Sequence, residues 1–381
     1  MLALRTQTAG RCAIMIAAVL WLGGEAQAPA QTPAIALPAQ PAAPVQEPAY
    51  AAAFDAWLGA NDPLTAILVV GRGGETVFAR AHNADANGPS FIGSMSKAVT
   101  AACVATLIRD GNLSFTTPMR EALAGFFRSH GRPLDPRFED VTVEQLLTHR
   151  SGLHANTPGD PWSGILRERI AQHLMDAGSP EPLLIAYLSR NMLAAAPGGP
   201  FAYSNFGYLV LTAVIEERSG RPFEDHCRDK VFSPLGLASA RLNPEWRIFG
   251  GAAGWTMTGA DYLRFYEIFD PAHPFLGDAV KAWIDAVHPR GGRPEAEWYS
   301  LGVFTSARDG RWSVRHGGLL GSAGRDGQGR PVAAFINSRA SRTSSGTGIF
   351  IAVRPRPGAP GMDGKVFELH REIARIAAAQ R

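Results

Sequence analysis

Apolar and polar positions change period along this chain, and the changes divide it into regions. Residues 51 to 58 place Phe54, Trp57 and Leu58 on one side, the spacing of an amphipathic helix. Residues 64 to 70 then run apolar, as a buried strand does. A turn at Gly71–Gly74 leads back through Glu75–Arg80, so the two segments are expected to pair as a hairpin. From Ser94 to about Arg109 the period is helical. Ala98, Ala101, Ala102 and Ala105 alternate with Val104, Leu107 and Ile108, and residues this small predict a helix packed tightly on all sides. A helical middle follows. Thr142–Gln145 reads as a capping box leading into Leu146–Leu147, and Ser151–Gly152 breaks the chain. Further helices fit 164–177, 182–191, 205–219 and 278–287, and Thr258–Asp261 has the form of another capped start. Strand patterns return after residue 297, at Trp298–Thr305, Arg311–His316, Leu319–Arg325 and Pro331–Asn337. The stretch 339–363, rich in Ser, Gly, Arg and Pro, reads as a long loop, with Ile349–Val353 fitting a short strand. Phe367–Ala379 fits a final helix.

Strands at both ends and helices between them predict an α/β lobe built from both termini. An all-helical lobe, roughly 110–285, is inserted, and the cleft between the two lobes is a natural place for a site. The folded domain is expected over 49–381. Before it, Arg5 and Arg11 precede an apolar run, Cys12–Leu22, and Ala26-Gln27-Ala28 offers small residues for cleavage. Residues 1–28 therefore read as an export signal, too short for an ordinary membrane span, so the mature protein is expected to be periplasmic or secreted. Pro29 leaves the cleavage position open, and an uncleaved anchor is the alternative. Residues 29–48, mostly Pro, Ala and Gln, read as a disordered spacer.

Composition narrows the function classes. Of the 381 residues, 46% are hydrophobic, enough for a sizeable core. The net charge of +3 is spread without a basic block, which argues against a nucleic-acid partner. Cys103 and Cys227 fall in helical segments. Export permits a disulfide between them, but two buried thiols are the expected state.

Lys97 is one of four lysines in a chain with 37 Lys and Arg together. Arg keeps its proton at any working pH, whereas a buried Lys can lose one and act as a base. Ser94-Met95-Ser96-Lys97 is the only Ser-x-x-Lys in the sequence. On a helix this spacing puts both side chains on one face, where a neutral amine can take the serine proton. Tyr203-Ser204-Asn205 follows, a phenol able to shuttle a proton and an amide able to bond a substrate. His316-Gly317-Gly318 comes last, expected where one strand ends and the next begins. Each motif alone has an ordinary structural reading: a helix cap, a core tyrosine, a strand-end turn. Their chain order is what favours chemistry. There is no Gly-x-Ser-x-Gly elbow and no His-Glu-x-x-His. His149 and His154 read as a packed or surface pair rather than a metal site.

The text around these motifs resembles the serine β-lactamase and penicillin-binding superfamily, in its class C-like branch. Similar stretches are Phe91–Lys97, Leu146–Leu153, Phe201–Tyr208, Phe232–Leu237 and Gly317–Gly321. The resemblance implies an antiparallel sheet flanked by helices, with the inserted helical lobe. It implies an acyl-enzyme on Ser94, proton transfers shared by Lys97 and Tyr203, and a substrate oriented by Asn205. The oxyanion would be held by the N–H groups of Ser94 and Leu319, and the substrate would lie against the edge strand of His316, Gly318 and Leu319, whose side-chain-free positions leave room for it. No metal or organic cofactor is implied, and the partner is a small-molecule or peptide substrate. Where the family has Lys-Thr-Gly, this chain has His316-Gly317-Gly318. His is mostly neutral at pH 7 and Gly317 has no hydroxyl, so carboxylate anchoring is weakened. Arg315 and Arg325 read as surface residues. The expected function is hydrolysis of a small ester or amide, of the esterase or D-amino-acid peptidase type. The alternatives are a β-lactamase or D-Ala-D-Ala carboxypeptidase, and a penicillin-binding sensor without turnover.

Overall fold

The structure is a computed structural model that describes residues 47–155, 181–287, 297–325, 331–356, 359 and 361–379. The expected signal, the helix at 164–177 and all but the end of the spacer lie outside the described residues. Helix α1 (Glu47–Asn61) begins two residues inside the expected spacer. It leads into the hairpin of β1 (Thr65–Arg72) and β2 (Glu75–His82). Short β3 (Ser90–Phe91), a single 3-10 turn (Gly93–Met95) and α2 (Ser96–Arg109) follow. The helical middle includes α3 (Val143–Leu147) and α4 (Asn205–Ser219). The expected all-helical stretch also contains two short strands, β4 (Arg241–Leu242) and β5 (Trp255–Met257), with α5 (Gly250–Ala253) between them. The chain then runs through β6 (Glu297–Ser300), β7 (Val303–Arg308), β8 (Arg311–Arg325), β9 (Pro331–Thr343) and β10 (Thr347–Arg354) to α6 (Met362–Ala378).

Seven strands form one antiparallel sheet in the order β2-β1-β10-β9-β8-β7-β6, and β3-β5-β4 form a smaller one. The apolar run of β1 is explained by burial on both faces. Ala66, Leu68 and Val70 pack with Tyr50, Phe54, Val366 and Leu369 of α1 and α6. Ile67 and Val69 face the other way, into the main core that α2 and α4 share. Trp57 ties α1 to α6 by donating from Nε1 to the Lys365 carbonyl at 2.8 Å.

Four expectations are corrected. Trp298–Thr305 is two strands, joined by a turn in which Leu301 and Gly302 both take positive φ, 47° and 77°. Such tight turns match strand twist, but Leu301 gives no Gly or Asn signal for it. His316-Gly317-Gly318 lies inside β8, which pairs with β9 continuously from Ser313 to Arg325. The stretch 339–363 is mostly strand, because β9 reaches Thr343 and β10 starts at Thr347. Its polar character misleads because Arg342 is buried. The guanidinium meets Glu267 at 2.8 Å and Asp270 at 2.6 Å, and stacks over Trp312.

The fourth correction is that Cys103 and Cys227 form a disulfide, with Cα atoms 5.4 Å apart. Cys103 is on α2, and Cys227 ends a short helix beside it. The bond closes a loop spanning 124 positions. In the chain-entropy account, a loop that long stabilises the fold by about 5 kcal/mol. We predict that Cys103→Ala/Cys227→Ala lowers unfolding free energy by about 2–5 kcal/mol in urea titration. An unchanged midpoint, together with free thiols at Cys103 and Cys227 in the unreduced wild type, would refute the bond.

Candidate active site

Ser94 lies in the 3-10 turn that precedes α2, and Lys97 in the first turn of α2. Two glycines press this turn against β8. Gly93 has φ +54°, and a Cβ there would come within 3.1 Å of Gly318 Cα and 3.5 Å of the Leu319 nitrogen. A Cβ on Gly318 would come within 2.1 Å of the Ile92 carbonyl oxygen. Side chains at these positions would force the turn and the strand apart. The Ser338 hydroxyl closes the junction, donating to Ile92 O at 2.9 Å.

Lys97 is fully buried. Its Nζ lies 2.6 Å from Asn205 Oδ1, 2.9 Å from the Ala252 carbonyl oxygen and 3.4 Å from Ser94 Oγ. Burial lowers the amine well below its ordinary 10.5. A neutral amine has two N–H donors and one lone pair. Asn205 and Ala252 are pure acceptors at these atoms, so they take the donors. The remaining neighbour is the Ser94 hydroxyl, which can donate to the lone pair. Ala252 reaches the amine because α5 lies against α4. A Cβ on Gly251 would be 2.0 Å from Thr212 Oγ1 and 2.5 Å from the Tyr208 carbonyl oxygen. Thr100 fixes the same helix by donating to Gly251 O at 2.8 Å.

Tyr203 completes the cluster. Its hydroxyl is hydrogen-bonded to Ser94, and its ring centroid is 4.8 Å from Lys97 Nζ. Burial raises the phenol above its ordinary value, with the Ser94 bond opposing, so Tyr203 keeps its proton in the resting site. Tyr203 and Asn205 flank the start of α4, which explains their two-residue spacing.

His316 faces the same region from β8, its ring centroid 6.2 Å from that of Tyr203. Nδ1 is 2.6 Å from the Gly317 carbonyl oxygen and must donate there, which leaves Nε2 to accept from the Tyr299 hydroxyl at 3.2 Å. This pattern holds the ring neutral. Burial first, then a Lys97 ammonium whenever one forms, pushes His316 down to about 3. Arg315 is bonded to Glu297 and stacks 5.3 Å from the Phe304 ring centre. Leu319 is 55% exposed at the rim.

The structure thus brings Ser94, Lys97, Tyr203 and Asn205 together, with Gly318 and Leu319 against the Ser94 turn. Sequence reasoning missed the Ala252 carbonyl and Tyr299. A backbone acceptor leaves no residue signature, although the Gly250-Gly251 pair marks the close approach that delivers it. Among the described residues no group of three His, Cys, Asp or Glu could hold a metal ion.

A family model described as Beta-lactamase matches residues 54–353. The chain belongs to the beta-lactamase family. It is 28% identical over 154 residues to penicillin-binding protein 4 of Amycolatopsis lactamdurans, covering 40% of this chain and 36% of that one. It is 26% identical over 151 residues to a D-aminopeptidase of Brucella canis, covering 38% and 26%. These alignments span only about a third or less of each relative. Among solved structures, a D-stereospecific amidohydrolase from Streptomyces aligns with TM-score 0.65 at 19% identity, covering 85% of this chain and 98% of that one. A class C beta lactamase from Rhodobacter sphaeroides gives 0.59 at 16%, covering 86% and 99%. At these identities the structural likeness speaks for the fold.

The amine geometry makes a sharp prediction. Lys97→Arg should lower hydrolysis by about 10²–10⁴-fold in kcat/KM, because guanidinium cannot become neutral. Near-wild-type turnover in a folded Lys97→Arg variant would remove Lys97 from the proton path.

Proposed function

We propose that this protein is an exported serine hydrolase that forms an acyl-enzyme on Ser94 and hydrolyses a small ester or amide. The observation that carries this reading is the buried amine of Lys97, its two N–H groups engaged and the Ser94 oxygen 3.4 Å away. Ser94 Oγ attacks the substrate carbonyl as its proton passes to the Lys97 lone pair. The oxyanion forms between the backbone N–H groups of Ser94 and Leu319, where one such donor is worth about 3 kcal/mol. Collapse breaks the bond to the leaving group, which takes a proton from the Tyr203 hydroxyl, and Lys97 returns a proton to Tyr203. Water then attacks the acyl-enzyme by the same path, releasing the acid and restoring Ser94. Asn205 holds the amine through Oδ1 and orients the substrate.

The neutral His316 bears on the substrate. A strand that presents a neutral ring at position 316 gives little to a substrate carboxylate there. Esters and amides with no required carboxylate fit better, in line with the names of the D-aminopeptidase and amidohydrolase relatives. The disulfide supports export, since such bonds persist in oxidising compartments. The second reading, a β-lactamase or D-Ala-D-Ala carboxypeptidase, is favoured by the likeness to a penicillin-binding protein and to a class C beta lactamase. A sensor without turnover is disfavoured, because every hydroxyl, amine and amide of the first two motifs is present.

The test is intact-mass analysis after mixing with penicillin G, alongside assays on p-nitrophenyl acetate and D-alanine p-nitroanilide, each repeated with Ser94→Ala. We expect turnover of the ester or anilide that falls at least about 10³-fold in Ser94→Ala, with little penicillin hydrolysed. Rapid penicillin turnover would establish the second reading. Turnover by Ser94→Ala near wild type would overturn the nucleophile.

A further inference from the structure

The stretch that delivers Tyr203 and Asn205 has no side-chain cap of its own. Ser204, the N-cap of α4, is extended (φ −130°, ψ 121°) and makes no capping bond through its hydroxyl. His149 holds the stretch instead. Its carbonyl oxygen accepts from the Ala202 N–H at 2.8 Å, and its Nδ1 accepts from the Ser204 N–H at 3.2 Å. One residue thereby holds the chain on both sides of Tyr203, with an imidazole nitrogen standing where a second carbonyl would be.

The grip is anchored and rigid. The His149 N–H donates to Leu146 O at 3.2 Å, at the end of α3. The residue is 2% exposed and holds a left-handed φ of 56°. A non-glycine residue keeps that conformation only where its surroundings fix it. The ring packs against Tyr203 with centroids 4.4 Å apart and against Tyr299 at 4.5 Å. Because Nδ1 accepts, the ring proton belongs on Nε2, which has no protein hydrogen-bond partner in the described structure. Only a neutral ring can accept at Nδ1. Burial first, then the charges that Lys97 and His316 would carry, oppose its protonation.

We infer that His149 is a positioning residue of this site: by holding the Ala202 and Ser204 N–H groups it sets Tyr203 against Ser94 and Asn205 against Lys97. The inference rests on the acyl-transfer reading above. A histidine that only filled space would matter through its bulk, whereas this one matters through its acceptor.

The experiment compares wild type, His149→Asn and His149→Phe on p-nitrophenyl acetate, with kcat, KM and melting temperature measured for each. Asn tolerates the left-handed backbone and offers a short side-chain oxygen to the Ser204 N–H. Phe keeps the ring and loses the acceptor. His149→Phe should lose about 10- to 100-fold in kcat, the scale of a slight misplacement of reacting groups, with KM little changed. His149→Asn should recover most of that loss. If His149→Phe does not fold, His149→Gln replaces it. Its amide matches the ring in size but carries its oxygen too far out, so it should fall about tenfold or more below His149→Asn in kcat. Wild-type kcat in the Phe variant, or equal loss in Asn and in Phe or Gln, would overturn the inference. A wild type without Ser94-dependent ester turnover would instead overturn the acyl-transfer reading, and the inference with it.

Discussion

The burial of one primary amine constrains the rest of this structure. Lys97 has no access to water, so its charged form is disfavoured and its folded-state pKa lies well below 10.5. Each unit of that depression forgoes about 1.4 kcal/mol of stability. The sign follows from proton counting. Between the lowered value and 10.5 the unfolded chain binds a proton that the folded one does not, so this contribution rises with pH across that window. The surrounding core must offset the loss, and α2, buried along nearly its whole length, supplies the packing.

What surrounds the amine is mostly backbone at close range. Gly251 lets α5 bring a carbonyl to Nζ. Gly302 lets the β6–β7 turn lie against α2, where a Cβ would be 2.4 Å from the Lys97 carbonyl oxygen. Gly93 and Gly318 let the Ser94 turn meet β8. None of these residues has a side chain to offer the chemistry. Each removes a side chain so that a polar backbone group or a catalytic element can approach, and together they leave the lone pair of Lys97 facing Ser94. The seven-stranded sheet supplies β8 as a rigid wall, and the helical middle supplies α4 with Tyr203 and Asn205 at its start.

Much of this was legible in the sequence. The unbroken apolar run of β1 and the small-residue helix α2 both state their burial directly. The Ser94, Lys97, Tyr203 and Asn205 motifs carry the side chains that the fold assembles, and the absence of a lysine at position 316 is visible by inspection. The rest was hidden for physical reasons. Leu301 occupies a left-handed turn without a turn residue's signature, so a hairpin reads as one strand. Arg342 is buried only because Glu267 and Asp270, more than 70 positions away, neutralise it. The disulfide and the double grip of His149 depend on which helices lie side by side, and periodicity does not report that.

The central claim is that burial holds the Lys97 amine well below its ordinary 10.5, so that it can give up its charge and take the Ser94 proton. Four lysines make it directly measurable by carbon-detected NMR titration of protein labelled at lysine Cε, with the Lys97 signal assigned by its loss in Lys97→Ala. The predicted result is that this signal titrates well below 10.5. A Lys97 signal that titrates near 10.5 would contradict it.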